Sequence, residues 1–162
     1  MLTRWMALVM EEAIVGSVLW AQDAALPSPL PETVLLLHFD EGAGDIARDS
    51  SRHGNHGAVK KAEWVEGRFG KALKFDGKDS FVDVGRPEAL QFGKDRSFTV
   101  ECWIKPQREQ PAHAVIFASG WGHERHYGLR ISGGKSLCFY ASSGVEGSVS
   151  SGDVSATLFD GQ

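Results

Sequence analysis

An aromatic and basic cluster stands out in the second half of the chain. Sugar rings combine apolar C–H faces with polar rims, so a tryptophan platform with neighbouring hydrogen-bond donors suits them. We therefore predict a ligand-binding site formed by Trp121, Arg125, His126 and Tyr127. The alternative is a loop whose tryptophan folds back over the edge of a sheet.

Acidic residues recur at the ends of apparent strands and in turns, at Asp40, Asp45, Asp76, Asp79 and Asp160. Calcium takes several oxygen ligands, and loop carboxylates together with backbone carbonyls can supply them. No loop here matches the twelve-residue calcium loop of helix–loop–helix proteins, so this indication is compositional. The alternative is that these carboxylates are solvated turn residues.

Two histidines, His123 and His126, have a spacing that would place both on one face of a helix, as a zinc site requires. The glycines just before them and the apparent strand beginning near Tyr127 favour a loop instead. We therefore predict no zinc site at this pair.

The chain has two cysteines, Cys102 and Cys138, each inside an apparent strand. An even count permits one disulfide in an oxidising compartment. The alternative is a pair of buried thiols that pack as small hydrophobic side chains.

A catalytic centre is not indicated. A glycoside hydrolase needs two carboxylates placed across the scissile bond, whereas Glu101 stands alone on its strand. No serine lies in a Gly-x-Ser-x-Gly elbow, where a hydrolase nucleophile would sit. We expect a chain without catalytic activity, and a glycoside hydrolase is the less favoured alternative.

The elements that must position these residues are short strands. Apolar runs alternate with Gly- and Asp-rich turns at the spacing typical of sandwiches. The longest run, Ser97–Lys105, alternates in polarity and ends at Pro106, which cannot continue a ladder. Asp76–Asp79 and Gly133–Gly134 each read as a hairpin turn. We expect an all-β core that contains Phe75, Phe98, Val100, Ile104, Leu129 and Ile131.

The first 32 residues differ from the rest. Residues 1–21 have apolar runs after Arg4, which is the layout of a secretory signal peptide, although Glu11 and Glu12 interrupt it. Residues 22–32 form a proline-rich tether, and residues 33–162 form one domain. We expect a secreted chain, extracellular or periplasmic, with no membrane span. The formal net charge of −4 gives no basic footprint for nucleic acid.

Four sequence blocks resemble the laminin-G-like jelly rolls of the concanavalin A-like lectin and glucanase superfamily. In chain order they are FDEGAGD (39–45), DSSRHGNHG (49–57), GRFGKALKFDG (67–77) and SFTVECWIKP (97–106). The resemblance implies a sandwich of two antiparallel sheets that binds glycans or protein partners, often with calcium, within a longer extracellular protein. Asp40 and Asp76 are the residues we expect to bind the ion.

The chain departs from the pattern of this family at its C-terminal end. Relatives follow a segment like Leu158–Gln162 with a Trp-His strand and a further hairpin, so we expect a jelly roll that lacks its last strands. The predicted function is a non-catalytic extracellular binding module. The alternative is a structural or adhesion spacer without a ligand of its own.

Overall fold

The computed structural model describes residues 2–4, 29–92, 97–107, 111–119, 126–142 and 146–151. These residues form an all-β structure, as predicted, and the only helical element among them is the short 3-10 turn Glu88–Leu90. No helix in this part of the chain is long and apolar enough to cross a membrane. The strands, in chain order, are β1 (Leu2–Arg4), β2 (Ile46–Ala47), β3 (Gly57–Lys60), β4 (Glu63–Glu66), β5 (Lys71–Lys74), β6 (Phe81–Asp83), β7 (Trp103–Lys105), β8 (His113–Ser119), β9 (His126–Ser132), β10 (Ser136–Ser142) and β11 (Glu146–Ser150).

The described strands form three antiparallel sheets. Sheet 1 has the order β4-β5-β1-β7, sheet 2 has the order β2-β3-β6, and sheet 3 has the order β11-β10-β9-β8. Sheet 1 is unusual because β1, from the N-terminal segment, lies between β5 and β7 and pairs with both. Sheet 3 is a meander, in which each strand pairs with the strand that follows it along the chain.

A buried cluster lies where sheets 1 and 2 meet. Leu73 comes from β5 of sheet 1, whereas Val59 and Ala47 come from sheet 2. The apolar run Val34–Phe39 adds Leu37 and Phe39, both 1% exposed, without forming a regular strand. Burial of each large side chain stabilises the fold by about 1.5–3 kcal/mol, which is why this run is held in place.

A second cluster is aromatic and covers one face of sheet 3. The rings of Phe92 and Phe98 stack with centroids 4.3 Å apart, and Phe98 also lies 4.8 Å from Tyr127. The same face carries Ile131, which is fully buried as predicted. Phe98 is half-buried and its neighbour Thr99 is exposed, but the predicted alternation does not continue, because residues 100–104 are all half-buried.

The hairpin predicted at Gly133–Gly134 is confirmed. Both glycines have positive φ, 57° and 66°, a conformation that other residues rarely adopt. The Lys135 N–H donates to the Ser132 carbonyl at 3.1 Å and closes the turn between β9 and β10.

Two predictions about the strands and turns are wrong. Asp76–Asp79 does not connect a hairpin, because β5 belongs to sheet 1 and β6 to sheet 2. The strand expected over Ser97–Lys105 is limited to β7, because its partner β1 is only three residues long. No other described strand pairs with residues 97–102. The apolar run Val154–Phe159 predicts a further strand, and it lies outside the described residues.

Candidate functional site

The predicted ligand-binding residues divide between described and undescribed parts of the chain. Trp121 and Arg125 lie outside the described residues, in the connection from β8 to β9. His126 is the first residue of β9, paired with Ser142 of β10. Tyr127 follows it and pairs with Ala141 of β10.

Tyr127 belongs to the packed aromatic cluster. Its ring lies 5.4 Å from that of Phe92 and 6.0 Å from that of Phe117. Its hydroxyl donates to the Leu90 carbonyl at 2.8 Å, which ties the 3-10 turn to sheet 3. Burial raises the pKa of this hydroxyl. The geometry therefore gives Tyr127 a packing role.

The face of sheet 3 opposite the aromatic cluster carries an arginine–tyrosine pair that was not predicted from the sequence. The Arg130 guanidinium carbon lies 5.5 Å from the centre of the Tyr140 ring, a cation–π arrangement. Arg130 Nε is buried and has no hydrogen-bond partner. Burial raises the pKa of Tyr140, and the positive charge of Arg130 opposes that shift. The period-two alternation from His126 through Gly128 to Arg130 is the signal that could have identified this face.

A glycine makes room for the pair. Gly128 is buried, and a Cβ atom there would collide with the Tyr140 hydroxyl and would lie 2.8 Å from the Phe117 carbonyl oxygen. Gly128 pairs with Tyr140 across β9 and β10, two residues along from His126. Arg130 lies four residues after the start of β9 and two residues before its end. We call this surface the Arg130 face; it consists of Gly128, Arg130 and Tyr140.

A second arginine stacks on aromatic rings in sheet 1. The guanidinium of Arg68, in the turn between β4 and β5, lies 5.5 Å from the Phe69 ring centre and 5.4 Å from that of Trp103. Phe69 and Trp103 meet edge to face at 6.0 Å. This contact ties the β4–β5 turn to β7.

Asp40, one of the two predicted calcium ligands, joins two of the sequence blocks. Its Oδ1 accepts a hydrogen bond of 2.9 Å from the Lys71 N–H at the start of β5. Gly70 has a φ of 76°, and a Cβ atom there would collide with Asp40 Oδ1. The geometry gives this carboxylate a role in holding residues 39–45 against the β4–β5 hairpin.

Asp76, the other predicted calcium ligand, closes its own loop. Its Oδ1 accepts from the backbone N–H groups of Lys78, at 2.9 Å, and of Asp79 and Ser80, both at 3.2 Å. The Ser80 hydroxyl donates to the same oxygen at 2.7 Å. The hydrogen bond from Ser80 and those from the loop amides hold the pKa of Asp76 well below its usual range.

The fit of calcium to these carboxylates can be judged by their surroundings. Calcium takes six to eight oxygen ligands, whereas Asp40 and Asp76 each have one carboxylate oxygen engaged by backbone N–H groups. Over the described ranges, no three His, Cys, Asp or Glu residues lie close enough together to hold a metal ion. Calcium binding at Asp40 and Asp76 stays a prediction.

The block DSSRHGNHG is organised around Asp49, which is 7% exposed. Asp49 Oδ1 accepts from the N–H groups of Leu36, at 2.9 Å, and Ser51, at 2.8 Å. Oδ2 accepts from the Ser51 hydroxyl and the Asn55 N–H, both at 2.7 Å. Burial raises the pKa of Asp49, but these hydrogen bonds outweigh it and hold the pKa below its ordinary value. The short side chains of Asp49, Ser50 and Ser51 predict a closed turn, and these hydrogen bonds confirm that prediction.

The two cysteines are both free thiols, so the predicted disulfide between Cys102 and Cys138 is not seen. Cys138 lies on β10 of sheet 3, whereas Cys102 directly precedes β7 of sheet 1. The two thiols do not pair because the fold places them in different sheets. Burial raises the pKa of Cys102 to about 11. Both side chains fit the alternative expectation of thiols that pack as small hydrophobic groups.

No family model, no curated protein and no solved structure matches this chain.

Proposed function

We propose that this chain is a non-catalytic binding module of a secreted protein, a jelly-roll sandwich of the laminin-G-like kind that binds glycans or protein partners at the Arg130 face. The observation that carries the proposal is the buried Arg130 Nε, which has no hydrogen-bond partner. A buried donor without an acceptor is costly, by about 1–3 kcal/mol, unless a ligand or a water molecule satisfies it.

The chemistry of the Arg130 face suits a glycan. The guanidinium offers several donors to hydroxyl or carboxylate oxygens, and the neighbouring Tyr140 ring offers an apolar surface. The β8–β9 connection, which contains Trp121 and Arg125, leads directly into β9, the strand that carries Arg130. We propose that these two residues and His126 complete the ligand site.

A non-catalytic role agrees with how the central carboxylates are used. Asp40, Asp49 and Asp76 each accept hydrogen bonds from backbone N–H groups. A carboxylate oxygen that accepts hydrogen bonds from the backbone of its own or a neighbouring loop stabilises that loop. The proposal therefore assigns these residues to the fold.

A glycan array tests the proposal directly. The full-length chain should bind at least one class of glycan, and Arg130→Gln should weaken binding at least tenfold, which corresponds to about 1.4 kcal/mol. The matched control is Arg52→Gln, the same change at an exposed arginine in the loop of the block DSSRHGNHG. Equal binding by both variants would remove the Arg130 face from the proposal. A chain that binds no glycan and no protein partner would support the spacer alternative.

Calcium binding is a separate part of the proposal, carried by Asp40 and Asp76. Chelation should then lower the melting temperature, because calcium at 100 times its dissociation constant adds about 2.7 kcal/mol to stability. Asp76→Asn should abolish the calcium-dependent part of that stability. Identical melting curves with calcium and with chelator would end this part of the proposal and leave the binding function standing.

A further inference from the structure

One position in sheet 1 is filled by a strand from the N-terminal segment. β1 runs antiparallel to both β5 and β7, which do not pair with each other. Neighbouring strands in a sheet are about 4.8 Å apart, so the two flanking strands are separated by room for one strand only. We call this position the β1 slot; it is bounded by β5 (Lys71–Lys74) and β7 (Trp103–Lys105).

The register defines two rows of residues that cross the slot. In the first row, Trp64 of β4 pairs with Leu73 of β5, and position 3 of β1 lies between Leu73 and Ile104. Directly opposite residues share a face of the sheet, and Leu73 is fully buried. This row therefore belongs to the core face and favours an apolar residue in the slot, whereas the chain supplies Thr3.

The second row is charged. Glu63 pairs with Lys74, and position 2 of β1 lies between Lys74 and Lys105, both of which are exposed. The Lys74 ammonium already lies 3.3 Å from the Glu63 carboxylate. An acidic residue in the slot would complete an alternation of negative and positive charges across four strands, and opposite charges in facing positions stabilise a sheet. The chain supplies Leu2 at this position.

The N-terminal segment is thus poorly matched to its own slot at both positions. It is also the segment that the sequence predicts to be a signal peptide, which export would remove. Removal would leave the facing N–H and C=O groups of β5 and β7 without partners, which is the condition for strand addition.

We propose that the β1 slot is a strand-acceptor site, which binds an extended peptide segment of a partner protein with an acidic residue directly followed by an apolar one. The incoming strand takes the direction of β1, with the acidic residue between Lys74 and Lys105 and the apolar residue between Leu73 and Ile104. The main-chain hydrogen bonds supply affinity, and the two rows supply selectivity.

The first test uses the full-length chain, produced without export so that residues 1–21 are kept. Thr3→Pro removes a ladder donor and should release β1 from the slot. A fluorescent hexapeptide, Lys-Thr-Glu-Ile-Thr-Thr, should bind this variant at least tenfold more tightly than it binds the unchanged chain. The control peptide with Lys in place of Glu should bind at least tenfold more weakly. Equal affinity for the two peptides, or no binding, would overturn the proposal.

A second test does not require an open slot. Changing Leu2→Glu and Thr3→Ile together should raise the melting temperature of the full-length chain by several degrees, because both rows then match. The combination of Leu2→Lys with Thr3→Ile should give a smaller rise. A double change with no gain over the unchanged chain would refute the assignment of the two rows. Dimerisation of the Thr3→Pro variant without peptide uptake would assign the slot to a second copy and would also overturn the proposal.

Discussion

The carboxylate of Asp49 offers the sharpest test of how the fold is held together. It accepts four hydrogen bonds, from Leu36, Asn55 and twice from Ser51. Replacement by alanine would leave the buried Leu36 N–H unpaired, which costs about 1–3 kcal/mol, while the donors nearer the surface can turn to water. With the loss of the charged hydrogen bonds themselves, we expect Asp49→Ala to destabilise the chain by about 3–4 kcal/mol.

Asp49→Asn should cost less, about 2 kcal/mol, because an amide keeps one oxygen and presents an NH₂ group to the donors on the other side. Urea unfolding followed by tryptophan fluorescence measures both changes. The matched control is Asp45→Ala, an exposed aspartate four residues away, which should stay within about 0.5 kcal/mol of the unchanged chain. A loss below about 1 kcal/mol for Asp49→Ala would refute the central role of this carboxylate.

The pH dependence of the free energy of unfolding gives an independent test of the Asp49 carboxylate. The pKa of Asp49 is lower in the folded chain than its ordinary value of 3.8. Its contribution is therefore fully present above pH 3.8 and is lost as the pH falls through the lower, folded-state pKa. In the Asp49→Asn variant, the free energy of unfolding should fall less steeply as the pH drops below 3.8. The same slope in both proteins would contradict a lowered pKa for Asp49.

Three further outcomes follow from single contacts. Gly70→Ala should lower the free energy of unfolding by at least about 1 kcal/mol more than Gly44→Ala does. Both glycines have positive φ, but only the Cβ added at position 70 would collide with Asp40. Equal losses for the two variants in thermal unfolding would refute the contact. Tyr127→Phe should cost about 1 kcal/mol in urea unfolding, because it removes the hydrogen bond to the Leu90 carbonyl and keeps the ring. The Cys102 thiol, with its pKa raised to about 11, should react with iodoacetamide at pH 8 about 100-fold more slowly than in the unfolded chain; similar rates, followed by peptide mass spectrometry, would show that it is not buried.

Local features of the fold were predictable because they depend on residues close together in the chain. The sequence predicted a strand beginning near Tyr127, which is β9, and the pair Gly133–Gly134 located the turn that follows it, since positive φ favours glycine. The turn role of Asp49 followed from its short side chain and its serine and glycine neighbours. Asp76 also forms local hydrogen bonds, but its loop connects two different sheets and so does not make the predicted hairpin.

The candidate site was only partly predictable. Tyr127 was chosen as a ligand residue for its position beside Trp121, yet its ring packs against Phe92 and Phe98. The Arg130 face was missed because Arg130 and Tyr140 are brought together by the pairing of two strands, and composition carries no information about register.

The sequence by itself determined the all-β class, the Gly133–Gly134 turn and some strand positions, because strand pattern and glycine placement act over a few residues. Only the tertiary structure decided which strands are neighbours, where β1 lies and what the carboxylates do. Asp40 meets the Lys71 N–H across 31 residues, and Tyr127 meets the Leu90 carbonyl across 37. Such contacts form because burial of Phe39, Leu73 and the aromatic cluster brings distant segments together, and that burial is a property of the whole chain.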